Sequence, residues 1–198
     1  MKKLSVVLTT MALCALLSLG LISCSKTEAS SKSESASAKT STTAIKKLIS
    51  INSETIYGDA IDNEYYKNND LTLVNVMATW CGPCVQEMPE LQAINEEDNG
   101  FGVIGVVIDA FDEVRGSVNT SAVEEAKRIA SKTGVTYPLA IPTQQFLEQT
   151  MKKTAALLPM SFIVDKEGKI VKGPIAGAKN KAKWLEILNK VKDAVIKQ

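Results

Sequence analysis

Two cysteines separated by two residues are the part of the sequence best suited to chemistry. Cys81 and Cys84 enclose Gly82 and Pro83, and Trp80 precedes them. A thiol pair at this spacing can form a reversible disulfide, and its thiolate can attack a disulfide in another molecule. The spacing alone leaves two alternatives open: a disulfide that only staples a loop, and a metal site that uses both sulfurs.

The rest of the sequence argues against both alternatives. A bridge between residues three apart closes so small a loop that it removes little entropy from the unfolded chain. A structural zinc site needs four ligands, and the chain contains no histidine. The same lack of histidine excludes Cys–His and Ser–His nucleophile pairs. We therefore interpret Cys81 and Cys84 as a redox pair, with no metal site.

The neighbouring elements should place this pair at the start of a helix. Residues 71–78 form an apolar run of strand length, and a helix is predicted from the cysteines to about Glu97. Unpaired N–H groups and the helix dipole would then lower the pKa of the Cys81 thiol. Pro83 fits the first turn, which needs no N–H group there. Cys84 lies one turn further along and is expected to be less exposed.

The remaining pattern predicts an α/β fold. Its elements are short strands at 46–51 and 54–57, a buried strand at 101–110, helices at 120–132, about 144–155 and 179–196, and a hairpin at 160–173. The two short strands would form an N-terminal β-hairpin around a turn at 52–53. Ser121 and Glu124 have the spacing of a capping box at the start of one helix. The order of elements predicts a central mixed sheet with helices on both faces.

The N-terminus indicates export from the cytoplasm. Lys2 and Lys3 precede a mostly apolar segment that ends in Leu21-Ile22-Ser23-Cys24. A small residue before the cut site is typical of signal peptides, and the Cys that follows makes the segment resemble a bacterial lipobox. The resemblance implies cleavage before Cys24 and lipidation of that residue. The alternative is an uncleaved membrane anchor, since about 18 apolar residues can span a bilayer.

Three segments follow from this interpretation. Residues 1–23 are the signal peptide, 24–43 comprise the lipidated Cys24 and a tether, and 44–198 form one globular domain. The tether is rich in Ser and Thr and has no large apolar residue, so it cannot bury enough surface to fold. The whole chain carries 23 basic and 22 acidic residues, and this balance gives no reason to propose a nucleic acid partner.

Residues 74–89 carry a more specific resemblance. They read VNVMATWCGPCVQEMP, which is similar to the VNFWATWC..C..E.P pattern of the TlpA/ResA-type branch of the thioredoxin superfamily. The matched residues are Val74, Asn75, Ala78, Thr79, Trp80, Cys81, Pro83, Cys84, Glu87 and Pro89. The resemblance extends over about residues 48–198. It implies a thioredoxin-like fold with an N-terminal β-hairpin and a strand-helix insertion at about 101–135.

The resemblance also implies roles for single residues. Cys81 would be the nucleophile and Cys84 the resolving thiol, with no cofactor beyond their disulfide. Pro159, in the stretch LLPMSFIVDKEGKIV, matches a cis-proline that packs against the pair. Glu87 matches an acid that tunes the cysteines, although an ordinary exposed helix glutamate is the alternative. Asn75 stands where cytosolic thioredoxins carry a buried Asp, which leaves Glu87 as the acid near the motif in sequence that can relay a proton.

Two methionines depart from the family pattern. Met77 replaces an aromatic residue, and Met160 follows Pro159 where Thr is common. Both positions are expected to border the substrate groove, although Met is also a common core filler.

The implied function is that of a membrane-anchored, extracytoplasmic thiol-disulfide oxidoreductase. The branch is mostly reducing, and CGPC is the motif of thioredoxin, whose potential is about −270 mV. A reductant outside the cytoplasm needs a donor, and the resemblance implies an integral membrane thiol carrier of the CcdA/DsbD type. Implied acceptors are apocytochrome c or a methionine sulfoxide reductase. Two alternatives are a disulfide-forming oxidase of exported proteins and a redox-inactive thioredoxin-fold binding lipoprotein.

Overall fold

Nine strands and five α-helices occur in the part of the chain that the structure describes. The computed structural model describes residues 49–151 and 157–196. The strands are β1 (Ser53–Glu54), β2 (Ala60–Ile61), β3 (Leu71–Met77), β4 (Phe101–Val107), β5 (Phe111–Asp112), β6 (Ser117–Val118), β7 (Leu139–Ala140), β8 (Met160–Val164) and β9 (Ile170–Ala176). The helices are α1 (Glu64–Lys67), α2 (Gly82–Asn95), α3 (Thr120–Thr133), α4 (Gln144–Thr150) and α5 (Lys181–Ile196), with a 3₁₀ turn at Ile108–Ala110.

A five-stranded mixed sheet has the order β7-β4-β3-β8-β9. Strands β3, β4 and β7 run parallel to one another, whereas β8 and β9 are antiparallel to their neighbours. Every residue of β3 and β4 is buried, which explains why these strands are near-continuous apolar runs. The predicted mixed sheet and the predicted hairpin at 160–173 are confirmed.

Helices cover both faces of this sheet. Side chains of β3 alternate between the faces, so Leu73 and Met77 pack with α2, α3 and α5, while Val74 and Val76 pack with α1, α4 and the segment before β1. This two-layer core confirms the predicted arrangement of helices. The α2 layer also contains both cysteines of the motif.

The N-terminal hairpin exists, but its predicted strands are wrong. The hairpin pairs β1 with β2. Of the predicted strands at 46–51 and 54–57, residues 49–51 and 56–57 form no strand, and residues 46–48 lie outside the described residues. Its turn is closed where the Thr55 N–H donates to the Asp59 carbonyl at 2.8 Å. The Ile49 N–H donates to Gly168 O, and the Ile51 N–H donates to Asn63 Oδ1. Because these backbone donors are satisfied elsewhere, the segment before β1 has no need of a local strand partner.

Helix α3 lies where it was predicted, but the capping box is wrong. The N-cap is Asn119, which has extended backbone angles and accepts the Ala122 N–H on its side chain. Asn is among the best N-cap residues. Its side chain accepts a free backbone N–H group of the first turn, which is the role predicted for Ser121. Ser121 and Glu124 both lie inside the helix.

Several predictions concern residues that the structure does not describe. The signal peptide, Cys24 and the tether to residue 43 lie outside the described residues, as do 152–156, where the predicted helix at 144–155 was to continue. Helix α4 ends at Thr150. Within 49–151 and 157–196, no helix has both the length and the apolar character needed to cross a bilayer.

Candidate active site

Cys81 and Cys84 form a disulfide at the start of α2. Cys81 is the N-cap of the helix, and its sulfur accepts the Cys84 N–H at 3.3 Å. The two Cα atoms are 5.3 Å apart. Cys84 is 1% exposed and Cys81 is 5% exposed. The predicted position of Cys81 at a helix N-terminus and the lower exposure of Cys84 are both confirmed. After reduction, the same N–H group is positioned to stabilise a Cys81 thiolate.

The residues around the pair differ in how strongly the structure constrains them. Pro83 lies in the first turn of α2, as predicted. Gly82 begins the helix, and a Cβ atom there would meet open space, so packing does not require glycine. Trp80 is 72% exposed and presents a large apolar ring beside the buried disulfide. Gly82 and Pro83 are exposed as well, so an incoming protein can contact all three residues, and Trp80 offers the largest side chain.

Asp109 holds the loop that leads into the cysteines. The Thr79 N–H lies 3.1 Å from each Asp109 carboxylate oxygen, and the Thr79 hydroxyl donates to Oδ2. Asp109 follows β4, and Thr79 follows the parallel neighbour β3. Sequence reasoning missed this contact because the residues are 30 positions apart. The available signal was weaker: Thr79 directly follows the predicted strand 71–78, but Asp109 lies inside the predicted strand 101–110. The observed strand β4 ends at Val107, which places Asp109 in the 3₁₀ turn after it.

Glu87 is a buried acid one turn after Cys84. It is 2% exposed, which excludes the alternative of an ordinary exposed helix glutamate. Its Oε1 accepts the Lys179 backbone N–H at 2.8 Å and the Trp184 indole N–H at 2.7 Å. Its Oε2 accepts the Asn75 amide at 3.0 Å. Burial raises the pKa of Glu87 above its ordinary value, and the three N–H donors partly oppose that rise.

Asn75 ties this carboxyl to the centre of the sheet. Its Nδ2 donates to Glu87 and also to Ser161 Oγ on β8, at 3.0 Å in each case. Asn75 and Ser161 are each 1% exposed, so both groups depend on this network for partners. Asn75 contributes a donor and cannot exchange a proton, which leaves Glu87 as the ionisable member of the network.

Pro159 lies at the sheet edge from which the cysteine loop departs. The Leu158–Pro159 peptide bond is cis, as the resemblance implied. Met160 pairs with Val76, so the preceding Pro159 is level with Met77 at the end of β3. The proposed packing of Pro159 against the disulfide stays a prediction.

The two departures from the family pattern are core residues. Met77 is 1% exposed and packs in the α2 layer, and Met160 is 2% exposed and packs in the opposite layer. The interpretation of both as core fillers agrees with this burial. Among the described residues, no group of three or more Cys, Asp or Glu side chains is arranged to hold a metal ion.

Two curated relatives are similar to the chain over much of its length. A thiol-disulfide oxidoreductase ResA from Bacillus thuringiensis (strain Al Hakam) is 31% identical over 118 residues, which cover 60% of this chain and 61% of the relative. The chain thus spans less than two thirds of that relative. A ResA from Bacillus thuringiensis subsp. konkukian (strain 97-27) is 29% identical over 134 residues, which cover 68% of this chain and 70% of the relative.

Comparison with solved structures confirms the thioredoxin-like fold. A thiol:disulfide interchange protein of the thioredoxin family from Chlorobium tepidum TLS superposes with a TM-score of 0.59 and 22% identity, covering 73% of this chain and 94% of that one. The two ResA relatives described above confirm the resemblance to TlpA/ResA-type proteins. The Redoxin family model matches residues 43–187, which include β3, the cysteine motif and the buried acid. The chain therefore belongs to the Redoxin family.

Proposed function

We propose that the chain is a thiol-disulfide oxidoreductase that reduces disulfides of exported proteins. The observation that carries the proposal is the disulfide between Cys81 and Cys84 at the start of α2, with the buried Glu87 one turn further along. The name thiol-disulfide oxidoreductase carried by the relatives supports it. The disulfide itself is the proposed redox centre, and no further cofactor is needed for thiol–disulfide exchange.

In the proposed reaction the reduced protein gives two electrons to a substrate disulfide. The Cys81 thiolate attacks one substrate sulfur, and a mixed disulfide forms as the other substrate sulfur leaves as a thiolate. Cys84 then loses its proton and attacks the Cys81 sulfur. The second substrate sulfur leaves, and the Cys81–Cys84 disulfide forms again. The substrate becomes a dithiol after taking up two protons.

Glu87 is the proposed acceptor of the Cys84 proton. A thiol as buried as Cys84 deprotonates reluctantly, because burial disfavours the thiolate. Glu87 follows Cys84 by three residues, so the two side chains are neighbours on the helix surface. A raised pKa brings a carboxyl closer to the pH at which it both takes up and releases a proton efficiently. The environment of Glu87 is thus suited to proton relay.

The proposed electron flow runs from the membrane to exported proteins. After each turnover the Cys81–Cys84 disulfide needs two electrons from a dithiol, and an integral membrane thiol carrier of the CcdA/DsbD type is the proposed donor. Apocytochrome c or a methionine sulfoxide reductase is the proposed acceptor. The exposed Trp80 ring is available to contact either class of protein beside the disulfide.

The reduction potential of the Cys81–Cys84 pair tests the direction of transfer. We expect a value near that of thioredoxin, about −270 mV, measured by equilibration with glutathione or dithiothreitol and quantification of free thiols. A potential above about −150 mV, close to that of the strong oxidant DsbA, would contradict a reductant and favour the disulfide-forming oxidase.

The proposed location is the extracytoplasmic face of the bacterial membrane, with Cys24 as the lipidated residue. A Cys24→Ala variant is then expected to be released from membranes after signal cleavage, or to accumulate as an unprocessed precursor. Fractionation followed by immunoblotting measures both outcomes. A variant that is processed and bound to membranes like the wild type would contradict the lipobox assignment.

A further inference from the structure

The buried Glu87 carboxyl lies beside a surface cleft. The cleft measures about 260 Å³ and lies between α2 and the segment that precedes α5. It is lined by Gln86, Glu87, Glu90, Ala178, Lys179 and Asn180. Glu87 itself is 2% exposed, so its carboxyl is close to solvent without being open to it. The residues that line the cleft are therefore neighbours of the proposed relay.

Lys179 binds the Glu87 carboxyl through its backbone and places its ammonium over Trp184, which binds the same carboxyl. Its backbone N–H donates to Glu87 Oε1 at 2.8 Å. Its half-buried side chain folds back, and Nζ donates to the carbonyls of Ala176 and Gly177 at 2.8 and 2.5 Å. Nζ also lies 4.8 Å from the centroid of the Trp184 ring, whose indole N–H donates to the same Glu87 oxygen. The ammonium is therefore fixed next to the residue that binds the carboxyl.

We propose that Lys179 is a positioning residue for Glu87, whose fixed ammonium stabilises the charged carboxylate and so sets how readily Glu87 accepts and releases a proton. The inference rests on the proposed function, in which Glu87 takes the proton that Cys84 loses. It adds a residue that acts through Glu87 and has no proposed contact with the reacting sulfurs. Two charges at partly buried sites interact more strongly than in water, which makes a single fixed cation effective.

Other ionisable and polar groups face Glu87 from its own helix, from the loop that carries Tyr137 and from helix α5. From its own helix these are the disulfide pair and Glu90, whose Oε2 accepts the Lys181 backbone N–H at 2.7 Å. The facing loop contributes Tyr137, whose pKa is raised by burial and by Glu87, so that its hydroxyl stays neutral. Helix α5 contributes the neutral Trp184 and also Lys183, which acts on Lys179. Burial lowers the pKa of Lys179, and the Glu87 carboxylate opposes that effect.

The test replaces the ammonium and keeps the stem. Lys179→Met removes the ammonium that lies over Trp184 and retains an unbranched side chain and the backbone N–H to Glu87. The measurement is the pH dependence of the rate at which the fully reduced protein reduces 5,5′-dithiobis(2-nitrobenzoate), together with direct titration of the Glu87 carboxyl by carbon NMR in the oxidised protein. We expect the pKa of Glu87 to rise by about half a pH unit or more, an approximately threefold gain in proton affinity.

Two further variants separate this role from a general effect of charge. Lys181→Met removes a lysine two residues away that pairs with Glu97, and it should leave the Glu87 titration unchanged. Lys179→Arg keeps the positive charge and should restore most of the wild-type profile. A Lys179→Met titration equal to that of the wild type would overturn the proposal. A shift of the Glu87 pKa in Lys181→Met as large as that in Lys179→Met would also overturn the proposal.

The outcome also distinguishes this inference from the proposed function. If the wild type reduces no disulfide faster than Cys81→Ala does, the proposed function fails, whereas the NMR titration still reports on Lys179. If the wild type is active and Glu87→Gln abolishes one pKa of the rate profile, the relay stands. If the pH profile of Lys179→Met is then unchanged, only the proposed role of Lys179 is contradicted.

Discussion

A Cys81→Ala variant is expected to lose all catalysis of insulin reduction by dithiothreitol, leaving only the rate of dithiothreitol itself. Cys81 is the N-cap of α2, where the Cys84 N–H reaches its sulfur, and this environment favours the thiolate that attacks a disulfide. Ala cannot attack, and the more buried Cys84 cannot replace it. The turbidity of precipitating insulin chains measures the rate directly. The fold should persist, because the loop that this disulfide closes is very short.

The matched control is Cys84→Ala, which keeps the nucleophile and removes the resolving thiol. This variant should attack insulin once and remain joined to it as a mixed disulfide, visible as an added mass in non-reducing mass spectrometry. Cys81→Ala should show no such adduct. Equal insulin reduction by the wild type and Cys81→Ala would favour the alternative of a redox-inactive binding lipoprotein over an enzyme.

The sequence predicts the parts of this fold that depend on local patterns. Strand β3 is mostly apolar because it is buried on both faces. Cys81 follows this strand at the start of a helix that Pro83 helps to begin. The hairpin of β8 and β9 was evident from its turn residues and flanking apolar runs. These features need only neighbours in sequence, so periodicity and turn chemistry identify them.

What the sequence does not predict depends on contacts between distant residues. Lys179 and Trp184 meet Glu87 across more than 90 positions, and Asp109 meets Thr79 across 30. Nothing in a short window indicates that the segment before α5 and the first turn of α5 each supply a donor to Glu87 on α2. The strands of the N-terminal hairpin were misplaced for a similar reason, since the donors of Ile49 and Ile51 are taken by distant acceptors.

The second large effect is expected from Glu87→Gln. The amide keeps an oxygen for the Lys179 and Trp184 N–H groups but cannot take up the Cys84 proton. General acid–base catalysis is worth about 100-fold or more in rate, so reduction of a mixed disulfide by Cys84 should slow by about that factor near neutral pH. Stopped-flow measurement of the second phase of substrate reduction reports this step. Glu90→Gln, on the same helix, should retain the wild-type rate.

Stability against pH gives an independent test of the same carboxyl. Because burial raises the pKa of Glu87 in the folded state, the folded protein holds this proton more tightly than the unfolded chain does. This proton stabilises the folded protein fully at pH values below the pKa that Glu87 has in the unfolded chain. The stabilisation is lost as pH rises through the pKa that Glu87 has in the folded protein. Glu87→Gln carries no such proton, so its free energy of unfolding in urea should rise relative to the wild type over that interval. A constant difference between the two proteins from pH 4 to 8 would show that Glu87 does not titrate as its burial requires.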